Sequence, residues 1–234
     1  MLLLKVKDLN VAYGAVRIVW DASLEIAEGE KVALIGPNGA GKTTLLKAIV
    51  GLLRPISGEV EFANKRIDKL PAHIVAKEGI SLIPEGGRVF PRMDVLENLK
   101  LGAFTPEAKA KEKDTLKQVF RLFPVLEERK NQIAGTLSGG EQRMLSIARG
   151  LMSLPSLMML DELSLGLMPT LVTSLFDVLE ELHDRGITIL LVEQYVKRAL
   201  EFADRGYLLE QGRVVLEGKG RELLKSEHVR EAYL

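Results

Sequence analysis

Apolar and polar residues alternate in places over residues 2–7 and 17–26, the rhythm of half-buried antiparallel strands, with Tyr13-Gly14 in the turn between them. Farther along, the apolar positions gather into short runs: KVALI (31–35), GISLIP (79–84), LMMLDE (157–162) and ITILLVE (187–193). Such runs read as buried strands. Glu59–Phe62 makes another strand before an Asn64-Lys65 turn, and residues 207–218 make a hairpin with Gln211-Gly212 at its tip, followed by short charged helices. Between the strands the spacing is helical: from Lys42 through Leu45, Ile49 and Leu52, over 137–152, and over 170–185. Residues 85–135 show no strand pattern, and MDVLENLKLG, KEKDTLKQVFRLF and VLEERK within them carry helical spacing. The pattern predicts a single α/β domain over 1–234. Residues 1–84 and 136–234 form its core, with a mainly parallel sheet and an N-terminal antiparallel β part, and 85–135 form a helical subdomain.

Composition narrows the function classes. Lys plus Arg equals Asp plus Glu, 32 against 32, so no global field favours nucleic acid or an anionic membrane. The chain has no cysteine, which excludes disulfides and thiolate metal sites and fits a reducing compartment. Lys5 and Lys7 interrupt an opening apolar run too short for a signal peptide, and no apolar segment approaches the ~20 residues of a membrane span. Any service at a membrane is expected to be peripheral.

The loop after the 31–35 strand carries the clearest chemistry. Gly36, Pro37, Asn38, Gly39, Ala40, Gly41, Lys42 and Thr43 fill G-x-x-x-x-G-K-[ST] without a gap, and Thr44 continues into the helix. Phosphate oxygens have to be wrapped by backbone N–H groups, and glycine lets the chain curl that closely. A helix beginning at Lys42 aims its positive end at the same oxygens. Lys42 supplies a point charge for the outer phosphates, and the Thr43 hydroxyl is a natural magnesium ligand. A plain glycine turn with a chance Lys-Thr explains less, because strand, loop and helix are all in place. The core is therefore read as a P-loop NTPase core.

Two further stretches carry weaker signals. Asp161, at the end of an apolar strand, is placed to hold magnesium, and Glu162 to polarise a water attacking the γ-phosphate. Two solvated acids at a strand end are the plainer alternative, but after an apolar strand and downstream of a phosphate loop the functional reading is favoured. Leu137-Ser138-Gly139-Gly140-Glu141-Gln142 reads equally as an anion site at a helix N-terminus and as a capping box with Ser138 at N-cap and Glu141 three residues on. The two readings are compatible.

GPNGAGKTT, LSGGEQ and LMMLDE, in that order, resemble the ATP-binding subunits of ABC (ATP-binding cassette) transporters, and the likeness covers essentially the whole chain. The resemblance implies ATP and Mg2+ as cofactors and two subunits sandwiching two nucleotides head to tail. Ser138, Gly139 and Gly140, with Glu141 beside them, would then face the ATP of the partner subunit. It implies that Tyr13 stacks on adenine and that Gly166 lies in the loop joining the two sites. It also implies permease subunits as partners, no nucleic acid, and a cytoplasmic place on the inner face of the cell membrane. Phe90, Pro91, Met93 and Leu96 are expected either in part of the permease-facing surface or, equally, in the packing inside the 85–135 insertion.

Several positions depart from the common pattern. Glu85 stands where many members carry a γ-phosphate-sensing glutamine; its carboxylate can still ligate magnesium. Gln194 replaces the switch histidine and does not titrate near neutral pH. With PAH at 71–73, LFPVLEER at 122–129 and LLVEQ, these two resemble the ATPase branch of branched-chain amino acid importers. Leu163 replaces the usual proline after the catalytic glutamate, which frees φ at the turn aiming Glu162, and slower turnover is expected. Met168 stands where many members have aspartate. Gly150, inside the helix after LSGGEQ, is expected to cost about 1 kcal/mol relative to alanine. The alternatives to an importer ATPase are another ABC ATPase, transport or non-transport, and a module that binds ATP with little turnover.

Overall fold

A computed structural model of the chain describes residues 1–233; Leu234, the last residue of the predicted domain, lies outside the described residues. Strands β1 (Leu2–Tyr13), β2 (Val16–Ala27) and β3 (Lys31–Ile35) lead into helix α1 (Lys42–Ile49). Next come β4 (Ser57–Phe62), β5 (Lys65–Arg66), α2 (Ala72–Val75) and β6 (Ile80–Ile83). Helices α3 (Val95–Gly102), α4 (Pro106–Ala110), α5 (Glu112–Leu122), α6 (Pro124–Glu128) and α7 (Gly139–Leu151) follow in succession. Strands and helices then alternate through β7 (Leu157–Asp161), α8 (Pro169–Asp184), β8 (Thr188–Glu193), α9 (Val196–Phe202) and β9 (Arg205–Glu210). The described chain finishes with β10 (Arg213–Lys219), α10 (Gly220–Leu223) and α11 (Glu227–Tyr233).

The central sheet has the order β10-β9-β3-β8-β7-β6, parallel throughout except for β10, which pairs antiparallel with β9. A second, antiparallel sheet has the order β2-β1-β4-β5. Both faces of the central sheet are buried, which explains its unbroken apolar runs. Val32, Leu34, Leu190 and Val192 point toward the antiparallel sheet and α1. Ala33, Ile35, Leu191 and Leu208 point toward the helices, in one core with Leu99, Phe123 and Leu145. No helix of the described residues is long and apolar enough to cross a membrane.

Three local readings need correction. β1 runs past residue 7 to Tyr13 because its polar Asp8–Asn10 segment is a bulge within the strand. Asp8 and Asp21 both take positive φ, +48° and +47°, and the Asn10 amide bridges them by donating to Asp8 O, Asp21 Oδ1 and Ser57 Oγ. The first helix stops at Ile49, so Leu52 is not on it and stands 61% exposed. Gly51 turns the chain there at φ +73°, with Leu70 O only 2.5 Å from where a Cβ would sit. Gly150, finally, is more than a helix weakness. A Cβ there would meet Ile83 Cδ1 at 2.5 Å and Ser81 Oγ at 2.7 Å, so its absence lets α7 lie close on β6.

Candidate nucleotide site

The parallel register brings the loops after β3, β6, β7 and β8 to one edge of the sheet. Ile35 pairs with Glu193, Asp161 with Val192, and Ile83 with Leu160, so the segments that continue from these residues emerge side by side. Gly36–Thr43 follows β3, Glu85 follows β6, Asp161 ends β7 with Glu162 next to it, and Gln194 follows β8. Four of the sequence-predicted groups, Lys42, Asp161, Glu162 and Gln194, therefore meet at this edge.

The phosphate loop has the shape its glycines permit. Gly36, Gly39 and Gly41 take φ of +150°, +80° and +104°. Gly36 has a second reason to lack a side chain: a Cβ would sit 2.1 Å from Leu209 O of β9. Pro37, Asn38 and Gly39 are exposed, whereas Ala40 and Thr44 are buried. α1 begins at Gly41 with no side-chain cap, leaving its first N–H groups available for an anion.

Lys42 is 4% exposed, and its ammonium donates to Gly36 O at 2.9 Å and Pro37 O at 3.1 Å. It also pairs with Glu162 Oε1 at 3.2 Å. Gln194 donates its side-chain amide to the other oxygen, Glu162 Oε2. Glu162 thus has one carboxylate oxygen on a cation and one on an amide, from a backbone held at φ +48°.

Asp161 is 3% exposed, and burial pushes its carboxyl above the usual range. The hydrogen bond from the Thr43 hydroxyl works against that shift, while the charges of Glu162 and Glu85 add to it. Its Oδ1 is buried without a hydrogen-bond partner. A buried carboxylate oxygen left bare beside a hydroxyl is a donor set suited to a hard cation. Glu85 itself stands exposed on the loop after β6, near enough for its charge to be felt at Asp161.

At the start of α7 the capping box forms in full. Glu141 N–H donates to Ser138 Oγ at 3.3 Å, and Ser138 N–H donates to Glu141 Oε2 at 2.8 Å. Burial opposes ionisation of Glu141, but the Ser138 hydrogen bonds and the Arg129 charge at 3.1 Å outweigh it and hold the carboxyl below its usual range. Ser138 and Gly139 are exposed, and nothing lies within 4 Å of where a Gly139 Cβ would be; Gly140 is tucked against Leu171. Tyr13 stands 47% exposed at the tip of the β1–β2 hairpin. On the same hairpin, Ile18 packs 3.4 Å from the Cβ position of Gly41.

Two polar residues in this region escape a reading of the sequence. Glu193 is 2% exposed and accepts hydrogen bonds from Ser164 N–H at 3.0 Å and Ser164 Oγ–H at 2.6 Å. Burial pushes its carboxyl up, against these bonds. The available signal was a glutamate closing the otherwise apolar run ITILLV.

Comparison with known proteins agrees with this geometry. Residues 19–164 match the family described as ABC transporter. The chain is 44% identical, over 99% of both lengths, to the high-affinity branched-chain amino acid transport ATP-binding protein BraG of Pseudomonas aeruginosa. It is 34% identical, over all of its own length and 98% of the relative's, to the lipopolysaccharide export ATP-binding protein LptB of Escherichia coli. Its fold superposes with TM-score 0.82 and 26% identity on a dimeric ATP-binding cassette in a post-hydrolysis state with ADP and Pi, covering 94% of this chain and 99% of that one. A phosphate loop, a carboxylate-tipped β7 and a capped LSGGEQ helix on this fold make the chain a nucleotide-binding ATPase subunit of the ABC transporter family.

Proposed function

We propose that this subunit hydrolyses ATP with Mg2+ as one half of a cassette dimer and drives a branched-chain amino acid importer. The observation that carries the chemistry is the meeting of Lys42, Asp161, Glu162 and Gln194 at the sheet edge, next to the open start of α1. The importer assignment draws on Glu85 and Gln194 at the two departing positions and on the 44% identity to BraG. The 34% identity to LptB, an export subunit, fits a cassette that leaves the choice of solute to other subunits.

Thr43 and Asp161 would hold the magnesium ion, with Glu85 within electrostatic reach. When bound, such an ion offsets charge on the phosphate oxygens during transfer. Lys42 now divides its ammonium among two carbonyls and Glu162. A γ-phosphate competes with Glu162 for that ammonium, and the released carboxylate accepts a proton from the attacking water. Gln194 keeps a hydrogen bond on Glu162 without titrating near neutral pH. Gly36–Gly41 and Thr44 bind phosphate through their backbone, and Tyr13 stacks on the base.

Ser138 and Gly139, solvent-facing at the start of α7, with the buried Gly140 behind them, complete the site of a second subunit, identical or related. Leu165, Met168 and Tyr195 are exposed to 38%, 65% and 59% and supply apolar surface for that contact. Permease subunits hold the dimer at the inner face of the membrane.

Glu162→Gln tests the reading. It removes the base and leaves the phosphate loop intact, so ATP affinity persists while turnover falls by ~100-fold or more. Size-exclusion chromatography with ATP then shows a dimer. A monomer with undiminished hydrolysis would end the proposal.

A further inference from the structure

Glu193 is the buried carboxylate in this site for which the chemistry above has no use. A carboxylate at 2% exposure is expensive to bury, and an apolar side chain would extend the run ITILLV at lower cost. Instead each of its oxygens accepts a hydrogen bond from Ser164, through the backbone N–H and the hydroxyl, with the Gln194 backbone N–H adding to them.

Ser164 lies two residues beyond Glu162, and β8 with the residue after it grips this turn at three points. Val192 O accepts the Glu162 N–H at 2.9 Å, Gln194 bonds the Glu162 carboxylate, and Glu193 bonds Ser164. Glu162 needs that grip. A glutamate at φ +48° is strained by roughly 1–3 kcal/mol and stays there only where its surroundings over-determine it. Between the held residues stands Leu163, fully buried, with a φ that no ring fixes.

We infer that Glu193 is a positioning residue for ATP hydrolysis: its two-point clamp on Ser164 holds the turn that keeps the Glu162 carboxylate beside Lys42 and Gln194. The inference rests on Glu162 being the group that activates water. Because Leu163 imposes no restraint of its own, the clamp carries more of the turn than it would beside a proline.

The test compares E193A, E193Q, S164A and E162Q in the full chain, reading steady-state kcat and the Kd for a fluorescent ATP analogue. E193A loses ~10- to 100-fold in kcat, the scale of a misplaced catalytic group, with Kd within ~2-fold. E193Q recovers most of that loss, since its carbonyl accepts the Ser164 N–H and its amide donates to Oγ. In an L163P background, where the ring fixes φ, the loss caused by E193A is smaller by at least ~3-fold in kcat. If E193A does not fold, S164A carries the expectation from the other end of the clamp, with a kcat loss of ~3- to 10-fold and an unchanged Kd.

Full kcat in E193A or S164A would overturn the inference. So would a Kd that weakens as much as kcat falls, or an E193A loss undiminished in L163P. E162Q separates the two levels. An active E162Q sinks the mechanism itself, whereas a dead E162Q beside a fully active E193A sinks only the positioning role.

Discussion

Asp161 shows at the scale of one residue how the site and the fold pull apart. Its carboxyl is raised chiefly by burial, so in the absence of a cation the folded protein binds its proton more tightly than the unfolded chain does. The sign follows directly. Between the ordinary carboxylate range and the raised folded value, the folded state holds more protons, so stability falls as pH rises through that window. At pH 7, above the unfolded range, this acid is therefore a net cost to folding. Asp161→Asn removes the charge, so in EDTA and without nucleotide the variant melts higher than wild type at pH 7. The gap narrows as pH is lowered to about 4, where the unfolded-state carboxyl takes up its own proton. The same variant loses ~100-fold or more in ATP hydrolysis, since a metal ligand supports several kcal/mol of charge stabilisation. Mg2+ with nucleotide raises the melting temperature of wild type and fails to do so for the variant. Thermal melts at pH 7 and 4, with and without Mg2+ and ADP, check the stability outcomes, and phosphate release checks the loss of hydrolysis; a variant less stable than wild type in EDTA at pH 7 would contradict the assignment.

At the scale of elements, the phosphate loop was legible from the chain alone because its chemistry is local: glycines, lysine and threonine at fixed spacing between a strand and a helix. The LSGGEQ capping box was legible for the same reason, spanning only Ser138 to Glu141. What escaped depends on contacts distant in sequence. The Glu193 clamp has no meaning until β7 and β8 are neighbours. The true length of β1 was hidden because Asp8 and Asn10 look like a strand end until Asp21 and Ser57 satisfy them. The brace beneath the phosphate loop belongs to the same class. Gln211-Gly212 is the hairpin tip expected from sequence, and both residues take positive φ, +48° and +79°, as a tight two-residue hairpin turn requires. The tip also docks: Gly212 N–H donates to Ala40 O at 2.9 Å, and Gly212 O accepts from Trp20 N–H at 2.8 Å. A Cβ on Gly212 would lie 2.0 Å from Ile18 O, so Gly212→Ala has to break this junction. We expect a loss of about 2–4 kcal/mol in urea unfolding, from overpacking added to left-handed strain. ATP affinity falls with it, because Ala40 loses its support. Gln211→Gly relieves φ without adding bulk and retains affinity, so equal damage from both substitutions would refute the brace.

For the whole molecule, the question is where motion at the sheet edge leaves the subunit. The residues assigned to the permease-facing surface separate in the structure: Phe90 and Pro91 are exposed, while Met93 and Leu96 are half-buried. Phe90, Leu101 and Phe104, exposed to 49%, 45% and 48%, rim a groove of about 360 Å³ floored by Ser81 and Gly150, which we propose as the permease contact. This groove lies between β6, α3 and α7, the last of which is capped by Ser138. A Cβ on Gly102 would lie 2.1 Å from Arg149 O, so α3 and α7 cross in close contact and a shift of one carries the other. Arg149 ties the rim to α7 by donating to Arg88 O and lying 5.0 Å from the Phe90 ring. A permease segment seated in the groove would therefore sense the position of Ser138 against the partner's nucleotide. Phe90 is left intact in the test because it also packs on Arg149. Completing the burial of Leu101 and Phe104 is worth about 1 kcal/mol each, given that each is already half covered. Leu101→Ser with Phe104→Ser then weakens permease association by roughly 30-fold. Basal ATP hydrolysis by the isolated subunit, whose phosphate loop and β7 carboxylates are untouched, stays within ~2-fold, the scale of a surface change. Co-purification from native membranes, read beside phosphate release from the soluble protein, measures both. A doubly substituted subunit that still brings its permease through purification in full would place the docking surface elsewhere.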